Sequence, residues 1–315
     1  MAPMPKSELH DPRHRILLAW PELKLDAELR DLVDRGLAGL VFPGDACADR
    51  DQTAAFCREL QQVAAGPLLL AADQEDGNAW LPPELELDDP AMLGFEYQDE
   101  GEGLEIQLQA LELGRALAAR GLTYFRGPRL DLSRPGERGN QLCFGGEPNL
   151  VAEVGSSYIE SLQAAGVIAA AAAFPGRGAL EGKLGAEDLL RCDAAPFLAA
   201  AGRGLEVFEL AAAPFSAFGE KKAALNADLI EWLREDIGFR GVLTTGPLDQ
   251  LGPAADAAAI GQEAAAAGCN ILYLRDRERL DSLLRALAPQ NALERKLSAR
   301  HASRIARLKR DWLEE

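Results

Sequence analysis

Apolar residues along this chain arrive in short unbroken runs, separated by stretches where they recur every third or fourth position. The runs lie within "RILLAW" (15–20), "GLAGLVFPG" (36–44), "GPLLLAADQE" (66–75), "GLTYFRGPRLDL" (121–132), "GVIAAAAAFPG" (166–176), "LEVFELAAAPF" (205–215), "GVLTTGPL" (241–248) and "CNILYLRD" (269–276). Continuous apolar runs mark parallel strands buried on both faces. Helical spacing fills the intervals at 26–35, 51–64, 103–120, from 147 onward, 186–201, 221–236 and 254–267, with further helices running to the end. Eight strand-helix units predict an α/β fold, and a (β/α)8 TIM-type barrel in a single domain, 1–315, is the simplest closure. A doubly wound sheet is the alternative, but no G-x-G-x-x-G follows the first strand to support a dinucleotide site. A barrel places its chemistry in the loops after the strand C-terminal ends, so those loops carry the candidates.

Composition narrows the function classes. The chain has 315 residues, 48% of them hydrophobic, with 33 basic against 50 acidic residues and a formal net charge of −17. That balance disfavours nucleic acid and anionic membrane surfaces. The five cysteines (Cys47, Cys57, Cys143, Cys192 and Cys269) form no C-x-x-C pair, which argues against a disulfide framework or a zinc site. The first 15 residues contain no apolar signal-type core, and no run reaches a membrane-spanning length. A cytoplasmic protein with no cofactor and no metal is the expectation. Of the three histidines, His10 and His14 precede the first strand and His301 lies near the C-terminus. A mechanism needing a histidine within the body of the barrel is thereby nearly excluded.

Four strand-end segments, in order and in register, resemble the N-terminal domain of glycoside hydrolase family 3, and among its members the single-domain bacterial β-N-acetylhexosaminidases. "LLLAADQEDGNAW" (68–80) resembles the family's A-x-D-Q-E-G-G, and "GPRLDL" with "FGGEPNLVAE" resembles P-V-x-D-V and F-G-x-D-P. "AAFPGRG" (172–178) resembles K-H-F-P-G-H-G, and "IGFRGVLTTGPLDQLG" (237–252) resembles L-G-F-x-G-V-x-x-S-D-D-L-x-M. The resemblance implies a TIM barrel and a retaining glycosidase ancestry. It also implies that the machinery is gone. The nucleophile position falls on Gly246, the Lys-His sugar clamp on Ala172 and Ala173, and the next histidine of that motif on Arg177. A sugar-contacting arginine falls on Leu142, a histidine after the sixth strand falls within "ELAAAPF", and the acid/base loop is shortened to "ALEGKLGAED". Asp73 and Asp131 remain.

A retaining glycosidase needs two carboxyl groups about 5–5.5 Å apart across the scissile bond. Besides Asp73, the groups that could supply one are Glu75, Glu181, Glu209 and Asp249. Glu209 sits among apolar neighbours and, if it points into the barrel, requires a partner such as Arg126, Arg129 or Arg177. Asp249 reads as a helix cap, Glu181 as a loop residue. Trp80 and Phe95 read as core packing of the third loop, with sugar stacking as the alternative. Phe174 and Asp131 complete the candidate pocket. The expectation is a pseudoenzyme that binds an amino-sugar or muropeptide-like ligand, or a protein partner, linked to cell-wall recycling. A β-N-acetylhexosaminidase-like glycosidase with weak or rearranged activity is the alternative.

Overall fold

The computed structural model describes residues 10–73, 80–101, 103–134, 140–176 and 191–314. Its strands are β1 (Ile16–Ala19), β2 (Gly39–Pro43), β3 (Leu69–Asp73), β4 (Tyr124–Phe125), β5 (Ile168–Ala169), β6 (Ala171–Phe174), β7 (Val207–Leu210), β8 (Val242–Pro247) and β9 (Ile271–Leu274). A curled seven-stranded sheet runs in the order β3-β2-β1-β9-β8-β7-β6, and a two-stranded sheet pairs β4 with β5; all these pairs are parallel. The segment 166–176, expected as one strand, is divided at Ala170 into β5 and β6 and so belongs to both sheets. On the far side, the Thr123 amide donates to the Leu70 carbonyl at 2.9 Å, and the Leu70 amide donates to Thr123 Oγ1 at 2.9 Å. These bonds carry β4 across to β3 and close the ring as the (β/α)8 pattern requires.

The helices are α1 (Ala27–Asp34), α2 (Arg50–Val63), α3 (Pro90–Glu100), α4 (Leu104–Ala119), α5 (Pro148–Gln163), α6 (Ala195–Gly202), α7 (Ala227–Glu235), α8 (Leu248–Leu251), α9 (Ala257–Ala267), α10 (Leu280–Leu287) and α11 (Ala292–Leu313). Starts follow local chemistry. The side chains of Asp26, Asp49, Asn226 and Asn291 each accept from a backbone amide in the first turn of α1, α2, α7 and α11, satisfying amides the helix itself leaves unbonded. The Asn226 cap explains why α7 begins at Ala227 although the periodicity predicted a helix from 221. The predicted helix at 186–201 is described only from its C-terminal part, as α6. Helix α3 was not predicted. It buries Leu93 but leaves Met92 49% and Phe95 64% exposed, so no helical stripe marks it in the sequence.

Side chains pointing inward from alternate strand positions fill the lumen: Leu17, Val41, Leu69, Tyr124, Val207 and Ile271 are all buried. Ile305 and Leu308 of α11 join the same cluster, so the terminal basic helix docks on the barrel by an apolar face. Among the described residues, no helix is long and apolar enough to cross a membrane. His301 on α11 hydrogen-bonds Asn270 at 2.8 Å, and burial lowers its pKa to about 2. It stays neutral and structural, far in sequence and role from the strand-end candidates.

The candidate site at the strand C-terminal ends

Alternation along a strand puts residues two apart on the same face. Glu209 therefore follows Val207 inward, and Tyr273 follows Ile271, to the layer just above the apolar lumen. Asp73 ends β3, and Arg126 comes directly after β4. The four meet. Arg126 Nε and Nη2 donate to the two carboxylate oxygens of Glu209, each at 2.9 Å. Its Nη1 donates to Asp73 Oδ2, and the Tyr273 hydroxyl donates to the same oxygen at 3.3 Å. The guanidinium carbon also lies 4.6 Å from the Tyr273 ring centroid, within cation–π range. All four residues are buried, none more than 8% exposed.

Burial raises the Asp73 pKa to about 6, with the Glu209 charge adding to the rise and Arg126 opposing it. For Arg126, burial acts against the charge, but Glu209 and Asp73 outweigh it and hold the guanidinium above its ordinary value. Tyr273 is pushed up by burial and by the neighbouring Asp73 charge. The Asp73 shift sets a stability trend. Its folded pKa of about 6 exceeds the ordinary 3.8, so between these values the folded state holds more protons than the unfolded one. This group's contribution is full below pH ~4 and is lost as pH rises through ~6. Asp73→Asn keeps an acceptor for Arg126 without the charge. The stability of D73N relative to the parent should therefore rise by about 3 kcal/mol between pH 4 and pH 7.5, read by denaturant unfolding at both values; a flat difference would contradict it.

The ion-paired cluster stands between two cavities. Arg126 and Glu209 face one of about 480 Å³, which also carries Leu142, Ala172, Ala173, Ala211, Ala212, Ala213 and Gly246 on its wall. Asp73 and Tyr273 face another of about 680 Å³, bounded by Trp20, Trp80 and Arg275. In the second cavity, buried polar capacity is left unused: Asp73 Oδ1 and Arg275 Nη2 have no hydrogen-bond partner among the described residues.

The structure thus gathers Ala172, Ala173, Leu142 and Gly246, and with them the alanines Ala211, Ala212 and Ala213, on one cavity. A Cβ built on Gly246 would lie 3.5 Å from Glu209 Oε1 and 3.7 Å from Gln250 Oε1, ordinary van der Waals contact, so Gly246 stands directly beside Glu209. Glu209 points inward and is paired with Arg126, one of the three partners its position required. Asp131 is fully buried and pairs with Arg129; it orients a cavity residue and does not line the cavity. Phe174 is a correction to the candidate pocket. It is fully buried, stacks on Phe208 at 4.8 Å between centroids and meets Phe197 edge-on, because the register of β6 shifts between Ala171 and Phe174 and leaves its ring on the helix side. Asp249 is another: Pro247, not Asp249, occupies the cap position of α8, and Asp249 lies 3.6 Å from Arg275 instead. Trp80 is buried beneath Arg120, whereas Phe95 is exposed on α3. Glu75, Arg177 and Glu181 lie outside the described residues.

Sequence reasoning missed Tyr273, Arg275 and Gln250, and gave Arg126 only a supporting place. The signal for Arg126 was present: a charged residue inside the apolar run "LTYFRGP" needs a buried counter-charge.

Comparison with known proteins gives the family. The pattern of the glycosyl hydrolase family 3 N-terminal domain matches residues 14–308. The chain belongs to that family. This family 3 barrel is 27% identical over 277 residues to a beta-hexosaminidase of Xylella fastidiosa (strain 9a5c), covering 82% of each chain. It is also 27% identical over 293 residues to one of Xanthomonas campestris pv. campestris (strain B100), covering 87% of this chain and 88% of that one. Among solved structures it resembles a glycoside hydrolase family 3 β-N-acetylglucosaminidase from Paenibacillus sp. str. FPU-7, with a TM-score of 0.81 and 26% identity. That match covers 98% of this chain but 62% of the larger Paenibacillus chain. A β-N-acetylhexosaminidase from Beutenbergia cavernae shares the fold at a TM-score of 0.80 and 19% identity, over 98% of this chain and 99% of that one.

Proposed function

We propose that this family 3 barrel binds a ligand without hydrolysing it, as a cytoplasmic pseudoenzyme with a binding or regulatory role in cell-wall sugar recycling. The observation that carries the reading is the Arg126 bridge: Asp73 and Glu209, the two buried carboxylates of the described mouth, are tied to one guanidinium. Neither is free to attack a sugar carbon, and Gly246 offers no group at all. Losing the nucleophile of a catalytic unit costs several orders of magnitude in rate, and a clamp of alanines cannot hold a hydroxyl. An amino-sugar or muropeptide-like ligand fits the polar cavity, where Asp73 Oδ1 and Arg275 Nη2 lack partners among the described residues and the two tryptophans offer apolar faces. One of the similar solved structures is of a NagZ from Neisseria gonorrhoeae in complex with N-trifluoroacetyl-D-glucosamine, a ligand of this chemical type.

A second reading is a β-N-acetylhexosaminidase-like glycosidase with weak or rearranged activity. It is favoured by the beta-hexosaminidase relatives that match most of the chain, and by Glu209 lining the same cavity as Gly246. A chromogenic N-acetyl-β-D-glucosaminide separates the two. The expected result is no turnover above background, together with a rise in melting temperature on adding N-acetylglucosamine. Turnover that disappears in Glu209→Gln or Glu181→Ala would establish the second reading and remove the first.

A further inference from the structure

We propose that the cavity beside Gly246 binds a neutral, apolar small molecule, a ring system or short hydrocarbon chain, in the space the family motifs would give to a sugar. The inference goes beyond the proposed function, since it concerns the other cavity and holds whichever ligand the polar one takes.

Several polar groups around this cavity are already engaged with one another, while Asp89, Tyr158 and Gln250 also line it. Arg126 is bound to Asp73 and Glu209, and Arg129 to Asp131. The Gln109 side-chain amide bonds Asp88 from both ends: its nitrogen donates to the Asp88 carboxylate, and its oxygen accepts from the Asp88 amide. A sugar entering here would surrender hydrogen bonds to water and find few replacements, and an unpaired buried hydroxyl is strongly disfavoured. Much of the remaining wall is apolar and asks for no hydrogen bonds. Leu81, Leu87, Leu93, Phe125, Leu142 and Leu210 surround the alanines. The replacement of polar clamp positions by alanine and leucine has therefore changed the chemistry of the space without filling it. Its volume of about 480 Å³ lies in the range of small-molecule sites, about 300–1,000 Å³. It does not suit a folded partner. The exposed pair Met92 and Phe95 lies outside this wall and is the obvious competing location for an apolar compound.

The test uses N-phenyl-1-naphthylamine, a neutral compound whose fluorescence rises in apolar surroundings, titrated into the full-length protein. Saturable binding of one molecule per chain is expected. Ala212→Trp, which fills the cavity, and Leu142→Arg, which charges its wall, should each weaken binding at least about tenfold, the scale of 1.4 kcal/mol, while melting as the parent does. Both positions are half-buried, so either variant can serve if the other folds poorly. Phe95→Ser should bind as the parent does, and N-acetylglucosamine should not displace the dye. No binding, binding unchanged in both cavity variants, loss of binding in Phe95→Ser, or displacement by N-acetylglucosamine would each overturn the proposal. Glycoside turnover with dye binding intact would remove the non-hydrolytic reading alone.

Discussion

Arg126→Met lowers the unfolding free energy of this protein by about 3–5 kcal/mol, the cost of leaving buried charges without their partner. The methionine is close to arginine in length and keeps most of the apolar packing, so the loss reports on charge. Two carboxylates, Asp73 and Glu209, then face each other with no cation between them. The nearest remaining donor to either is the Tyr273 hydroxyl, at 3.3 Å from Asp73. The chain responds by binding protons. R126M is thus expected to regain stability as pH falls, opposite to a simple loss of packing. Adding Asp73→Asn and Glu209→Gln to R126M should recover most of the loss, with a coupling well outside the about 0.5 kcal/mol scatter of independent sites. Denaturant unfolding of the single and triple variants measures this. A loss below about 1 kcal/mol, or no recovery in the triple variant, would mean that the bridge is not what organises the mouth.

Gly94→Ala is the second large effect, expected to cost about 3 kcal/mol. A Cβ at Gly94 would stand 1.5 Å from the Phe144 carbonyl oxygen and 2.6 Å from its carbon. These are backbone atoms, which cannot rotate aside as a side chain can. Helix α3 would have to lift from the 3-10 turn Asn140–Leu142 and from α5, taking Leu93 out of the core and Pro90 off the cavity wall. Gly66→Ala is the control: nothing lies within 4 Å of its Cβ position, and its effect should stay within about 0.5 kcal/mol. Equal effects of the two substitutions would refute the close approach of α3.

The strand positions were legible because a parallel barrel buries both faces of each strand, which writes uninterrupted apolar runs. Ala172, Ala173 and Gly246 could be singled out too, since they stand inside segments whose neighbours resemble the family motifs. Helix α3 was not legible, because a helix with one buried leucine and several exposed apolar residues carries no stripe. Phe174 misled for another reason: it adjoins the candidate clamp in sequence, but the register of β6 shifts between Ala171 and Phe174, so its ring joins Ala169 and Ala171 on the helix side, in the Phe197–Phe208 stack.

By itself, the sequence determined the (β/α)8 architecture, the kinship with family 3 and the small apolar residues at particular strand ends. Each of these is a property of local pattern, with period and motif readable over a dozen residues. Only the tertiary structure decided that one arginine after β4 joins carboxylates from β3 and β7, 53 and 83 residues away along the chain. It alone divided the mouth into a polar and an apolar cavity and placed the alanine, leucine and glycine positions together on the apolar side. Such facts depend on which side chains of distant strands converge at the barrel mouth, and closure of the ring, not local pattern, brings them there.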